Sequence, residues 1–261
     1  SDLTRVLAAV ERERRTVDCE TEVVVVDDGS TDGTWEWLRR QTRRSPGWVV
    51  SHQGNAGPAQ ARNRGVEAAG GEIVLFLGDD TEPQPGWLAE HLETHRVLGN
   101  EARLAVLGYT GFPDGSSTPF LRYINEHGAQ FGYLLIDQPC RVPFNFFYTS
   151  NISLARRELV DRGGFRVDFP AAAWEDIEFA YRAAQRGLRM RYQPRARTLH
   201  EHCVRPRTFC RRQMTSGLSA AIFHGLHPEL GDFLGVHRLE RPWRAPRLRS
   251  ALLALLVACG E

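Results

Sequence analysis

Lysine is missing altogether: all 33 basic residues of this 261-residue chain are arginine. That absence excludes Schiff-base catalysis and the lysine of a phosphate-binding P-loop. Neither sign of charge is in excess, since 33 cationic side chains face 32 acidic ones for a formal net charge of +1. No whole-molecule field recruits nucleic acid, and none is expected as a partner. Cysteine is scarce, with five scattered at positions 19, 140, 203, 210 and 259, an odd number that argues against a disulfide framework and for a reducing, cytoplasmic setting. Internal repeats and low-complexity linkers are lacking, and no apolar run reaches membrane-spanning length. The apolar tail 248–258 (LRSALLALLVA) amounts to only about two to three helical turns. It either docks on the core, the favoured reading, or touches the inner face of a membrane beside Arg238, Arg241, Arg244, Arg247 and Arg249.

What is present is an alternation of helical and extended patterns. Leu3, Val6, Leu7 and Val10 recur at helical spacing, and strands are expected at 22–26, 48–51, 73–77 and 104–108. Between them lie helical patterns carrying Trp35 and Leu38, then at 59–69 and 87–98, the first of these helices with N-cap oxygens at Ser30, Thr31 or Asp32. Such alternation predicts an α/β fold with an open, mainly parallel sheet and helices on both faces. Farther on, a helix is expected over 120–130, a strand over 144–154, a helix over 175–186, short strands at 189–192 and 197–200, and a long helix over 208–224. The simplest partition is one catalytic domain over 1–224 and a helical extension over 225–261.

Three acidic groups carry the chemistry. Asp27-Asp28 ends VVVVDDGSTDG and Asp79-Asp80 ends IVLFLGDD, each directly after an apolar run that reads as a buried strand. Ligands of parallel sheets bind at the carboxyl ends of strands, so both pairs are expected to face one crevice. Asp28 can accept hydrogen bonds from a uracil imide or a ribose, or one aspartate of its pair can simply cap the next helix. The second pair suits Mn²⁺ or Mg²⁺, which take hard oxygen ligands together with diphosphate and water. Glu175, Asp176 and Glu178 open a helix, where the dipole favours them, and one of them can serve as a general base. Trp174 before them can stack on a sugar. His200, His202, Cys203 and Cys210 do not match the usual zinc spacings, and His200 is better read as a ligand of the same divalent metal or a phosphate contact.

Six segments in order, VVVVDDGSTDGT, GNAGPAQARNRG, IVLFLGDDTEP, TSNISLARRELVDRGGF, WEDIEFAYR and the His200 segment, resemble the family 2 glycosyltransferases, inverting enzymes of the GT-A fold. The resemblance spans roughly the first 224 residues, and six ordered segments make it far more specific than any one alone. It implies that Asp28, with Asp27, contacts the nucleotide of a UDP-, GDP- or dTDP-sugar, and that the loop with Asn55, Gly57, Arg62 and Asn63 lines that pocket. Arg62 is either a diphosphate partner or a structural arginine. Asp80 corresponds to the last carboxylate of the DxD metal motif, Asp79 assists, and Gly78 stands where many members carry the first aspartate. Asp176 corresponds to the catalytic base, Glu175 to its neighbour and His200 to a late histidine near metal and diphosphate. The acceptor, a glycan or lipid-linked hydroxyl, is expected beside Trp174 and Asn151. A nucleotidyltransferase of related fold and a non-catalytic carbohydrate-binding remnant are the rival readings; a glycosidase would not need the nucleotide loops. Members usually begin with a strand ending in a Pro-Thr-Tyr-Asn type segment, so the chain, opening in a helix, is expected to be N-terminally incomplete.

Overall fold

A computed structural model describes residues 2–43, 45–99, 103–113, 118–127, 130–170, 172–200 and 204–236. The tail 237–261, with its arginines and apolar run, and His202 and Cys203 lie outside the described residues. In chain order the first half runs α1 (Asp2–Arg14), β1 (Val23–Asp28), α2 (Thr34–Thr42), β2 (Trp48–Gln53), α3 (Pro58–Ala68), β3 (Ile73–Leu77), β4 (Thr81–Pro83), α4 (Trp87–Val97) and β5 (Leu104–Gly111). The second half runs α5 (Pro119–Glu126), β6 (Asn151–Ala155), α6 (Arg156–Val160), α7 (Glu175–Ala184), β7 (Arg189–His200), α8 (Pro206–Leu226) and α9 (Gly231–Leu234).

The strands form a parallel pair, β1-β2, and a five-stranded sheet ordered β3-β6-β5-β7-β4. The sheet is mixed, not mainly parallel as its apolar strands led one to expect. β1–β2 and β5–β7 are parallel, while β3–β6, β5–β6 and β4–β7 are antiparallel. Apolar runs report burial on two faces but not strand direction, and β6 returns from a long aromatic connection that enters the sheet from the opposite end. Because β6 is antiparallel to both neighbours, β3, β5 and β7 still point the same way. Their carboxyl ends therefore share one edge with the start of β6.

Other expectations shift locally. Residues 144–154 do not form one strand: Phe144–Phe146 is a 3₁₀ turn, and only Asn151–Ala155 pairs in the sheet. The two short strands around residue 194 are one long β7, with an irregularity opposite Gly108 and Tyr109. Gly33, at φ 86°, occupies the N-cap of α2, while Asp32 accepts from Thr34 N at 3.1 Å and Thr34 Oγ1 at 2.6 Å. The core is aromatic. Phe179 of α7 packs against Phe147 at 5.5 Å and Phe165 at 5.1 Å, and all three are shut off from solvent. Burying aromatic side chains of this size supplies much of the apolar driving force and fixes α7 against the 3₁₀ turn Phe144–Phe146. No helix among the described residues is long and apolar enough to cross a membrane.

Candidate functional site

The first acidic pair divides its work according to strand alternation, which sends neighbouring side chains to opposite faces. Asp27 is buried and accepts from Ser30 N at 3.3 Å and the His52 ring at 2.6 Å, so it pins its own turn. Burial pushes its carboxyl up, but the hydrogen bonds from Ser30 and His52 more than offset this and hold it below the usual aspartate value. Asp28 reaches to the neighbouring loop instead. Its oxygens accept from Gln53 Nε2 at 2.9 Å, Ala56 N at 2.8 Å and Gly57 N at 2.9 Å, fastening the start of α3. A carboxylate has roughly four acceptor positions, so Asp28 retains capacity for one more donor. Gly29 is required between them: at φ 80° a Cβ there would lie 2.7 Å from Asn55 N.

From that loop α3 carries the connection onward. Asn63 grips the backbone of Phe165 from both sides, donating to its carbonyl at 2.7 Å and accepting from its N–H at 2.8 Å. Arg62 donates to Glu175 Oε1 at 2.5 Å and lies over the Phe165 ring at 5.8 Å. Of the two roles open to Arg62, the geometry displays the structural one. Glu175 is buried, and that burial, with the adjacent Asp176 carboxylate, raises its pKa against the pull of Arg62.

A second route runs from the metal end. The register pairs Leu77 with Asn151, so the start of β6 lies beside the turn after β3. Gly78 N and Thr81 Oγ1 both donate to Ser150 O, at 3.2 and 3.3 Å. Thr149, the preceding residue, donates from its N at 3.4 Å and from Oγ1 at 3.3 Å to Asp176 Oδ2. On the other side of the turn, β4 pairs Thr81 with His200, and His200 Nε2 lies 3.3 Å from Asp80 Oδ2. Thus Asp28 through α3, and the turn that carries Asp80 through Ser150, both lead to the first turn of α7.

The three carboxylates of that turn diverge. Glu175 meets Arg62, Glu178 is fully buried against Arg182 at 2.8 Å and His227 at 3.0 Å, and Asp176 remains half-exposed. Tyr148, whose phenol is pushed up by burial and then by the Asp176 carboxylate, stays protonated alongside. Ser150 Oγ and Glu175 Oε2, next in sequence to Thr149 and Asp176, are buried polar atoms without a hydrogen-bond partner among the described residues. Orphans of this kind beside a carboxylate mark places where water or a ligand completes the set.

Two expected acceptor residues are placed elsewhere. Asn151 is fully buried: its Oδ1 accepts from Trp87 Nε1 at 2.8 Å and pairs with His91 Nε2 at 2.9 Å, while its Nδ2 donates to Tyr109 O at 3.1 Å and Ala196 O at 2.9 Å. An amide so saturated is a core residue, not an acceptor contact. Trp174 packs its ring on Phe223 at 5.7 Å and Phe233 at 6.2 Å and donates to Ser216 Oγ at 3.0 Å, so α8 and α9 occupy much of its surface. Thr149, two residues before Asn151, is the residue of this segment that bonds Asp176.

The metal set is also narrower than expected. Among the described residues no three His, Cys, Asp or Glu side chains gather as a metal-holding group. Asp80 and His200 do converge, and exposed Asp79 does not complete a protein triad with them. Two donors of this kind fit Mn²⁺ or Mg²⁺ when substrate phosphate and water fill the remaining positions.

The family model described as Glycosyl transferase family 2 matches residues 1–164. A curated relative, the pre-mycofactocin glycosyltransferase of Mycobacterium tuberculosis, is 30% identical over 184 residues, covering 69% of this chain; the chain spans only 38% of that relative's length. Among solved structures, the mannosyltransferase PcManGT from Pyrobaculum calidifontis, in complex with GDP-Man and Mn²⁺, superposes with a TM-score of 0.61 at 21% identity, covering 99% of this chain and 72% of the other. S. aureus TarS in complex with UDP gives a TM-score of 0.56 at 20% identity, covering 84% of this chain and 61% of that one. These two share the α/β GT-A fold with the chain.

Proposed function

This chain belongs to glycosyl transferase family 2, and from that premise we propose that it transfers a sugar from a nucleotide-diphospho-sugar to an acceptor hydroxyl with inversion, Asp176 acting as general base. The observation that carries this reading is the convergence of two bonded routes, from Asp28 and from the Gly78–Thr81 turn that carries Asp80, on the turn that presents Asp176. A general base must be accessible and anchored, and Asp176 is the half-exposed carboxylate of the three. The neighbours with GDP-Man and with UDP support a nucleotide-linked donor.

Asp28 and the backbone of loop 54–57 bind the nucleotide, and Asp80 with His200 would hold Mn²⁺ or Mg²⁺ beside the diphosphate. Bound there, the cation supplies neutralising charge for the leaving group. Asp176 takes the proton of the acceptor hydroxyl as its oxygen attacks the anomeric carbon from the face opposite the diphosphate. One bond forms, the bond to the diphosphate oxygen breaks, and the configuration inverts. Thr149 holds the carboxylate toward that proton, while Arg62 keeps Glu175 out of the reaction by pairing with it. The acceptor is the hydroxyl of a glycan or of a lipid-linked sugar.

The test is release of nucleoside diphosphate from a panel of UDP-, GDP- and dTDP-sugars in the presence of Mn²⁺. Turnover of one donor, with the opposite anomeric configuration in the product, is the expected result. Turnover of nucleoside triphosphates alone would assign a nucleotidyltransferase instead. Carbohydrate binding with no turnover of any donor would assign a non-catalytic module.

A further inference from the structure

Among the described residues, Trp174 is the one non-glycine residue with a positive φ, at 74°. The left-handed region is costly for a residue with a Cβ, and such strain persists where the surroundings over-determine it. The position is the N-cap of α7, where extended backbone and a small polar side chain are usual. Trp174 offers neither, and makes no side-chain cap. What holds it is α8. Its indole N–H donates to Ser216 Oγ at 3.0 Å, and its ring rests on Phe223 of the same helix at 5.7 Å.

The same segment grips the turn a second time. His227, directly after α8, lies 3.0 Å from Glu178, whose side chain is fully buried. Residues 174 and 178 are about one helical turn apart, so one side of the turn is fastened to α8, while residue 176 points away from it. Asp176 has Thr149 as its partner on that free side, at 3.3 and 3.4 Å.

We propose that Ser216 is a positioning residue: acting through the left-handed Trp174, it fixes the first turn of α7 so that Asp176 is directed at the acceptor hydroxyl. The proposal rests on the reading of Asp176 as the base. It makes α8 part of the catalytic apparatus and gives the tryptophan before the acidic pair a role other than stacking on sugar.

Steady-state kinetics on the full chain test it, with Ser216→Ala, Ser216→Thr, Trp174→Phe, Trp174→Gly and Asp176→Asn compared for kcat, donor KM and melting temperature. Ser216→Ala is expected to lower kcat about tenfold, as misplacement of a catalytic group does, with donor KM and melting temperature unchanged. Ser216→Thr, which keeps the hydroxyl, is expected to recover most of that loss. Trp174→Phe keeps an aromatic ring on Phe223 but has no N–H, so its kcat should fall at least as far as in Ser216→Ala, and Ser216→Ala should add nothing when combined with it. Glycine at 174 adopts the backbone freely but loses both grips, and kcat should fall further. Wild-type kcat in Ser216→Ala, or full activity in Trp174→Gly, overturns the proposal. Asp176→Asn separates the two ideas: turnover by that variant removes the base reading itself, whereas an inactive Asp176→Asn beside unimpaired Ser216 and Trp174 variants removes only the brace.

Discussion

Asp176 receives two long hydrogen bonds from Thr149, at 3.3 and 3.4 Å, and one from the N–H of Ile177 at 2.9 Å. It is anchored without being saturated, as a proton acceptor must be. Asp176→Asn removes the acceptor but keeps the shape, so donor binding should persist while kcat falls by about 10²- to 10⁴-fold. Product formation and donor titration check this directly. Asp80→Ala removes the carboxylate donor at the other end of the site and is expected to abolish the Mn²⁺ dependence of donor affinity; calorimetry with and without Mn²⁺ reads it. Gly29→Ala should destabilise the fold by about 1–2 kcal/mol, because the added Cβ meets Asn55 N and the left-handed backbone resists a side chain. Urea unfolding measures that. The identities of Asp28, Asp80 and Asp176 were legible as carboxylates at strand ends and at a helix start. The saturation of Asn151 and the engagement of Trp174 by α8 were not, since a motif reports which residues are near a site and not which way each points.

At the scale of elements, α3 and α7 form the link between nucleotide loop and base. Arg62 and Glu175, on separate helices 113 positions apart, share one hydrogen bond at 2.5 Å with Glu175 almost wholly buried. Removing the arginine leaves an uncompensated carboxylate in the interior, so Arg62→Met should cost about 3–5 kcal/mol. Glu175→Gln in the same background should recover part of it, because a neutral amide is cheaper to bury; thermal melts of the single and double variants supply the comparison. Helix periodicity found α3, α4, α7 and α8 close to their observed bounds and placed a helix, α1, at the start of the chain. The strand expected over 144–154 was misread from composition: Phe146, Phe147 and Tyr148 resemble a strand, but Phe146 ends a 3₁₀ turn and Phe147, directly after it, is buried in the core. The three-residue β4 was invisible for another reason: it exists because β7 passes beside it, and nothing local demands it.

The whole molecule has a buried polar seam between α4 and β6 that ties its stability to pH. His91 shares hydrogen bonds with Ser153 Oγ at 2.8 Å and Asn151 Oδ1 at 2.9 Å, and His95 meets the same Ser153 hydroxyl at 2.9 Å. Burial lowers the pKa of both from 6.5 to about 4. Between those values the unfolded chain binds more protons than the folded one, so the stability from the neutral histidines is full above about pH 6.5 and is lost as pH falls toward 4. Each histidine contributes a slope of at most about 1.4 kcal/mol per pH unit over that window. Urea midpoints from pH 7 to 5 should therefore fall, and His95→Gln should flatten the decline; an unchanged slope would refute the assignment. No sequence pattern announced this seam, since His91 and His95 matter only through their partners on β6. By itself the sequence determined the α/β class, the family, the strand-end carboxylates and the acidic helix start, because hydrophobic periodicity and turn chemistry are local. Only the tertiary structure decided strand directions, the pairing of Arg62 with Glu175, the burial of Asn151 and the hold of α8 on Trp174, because each depends on contacts between residues far apart in the chain.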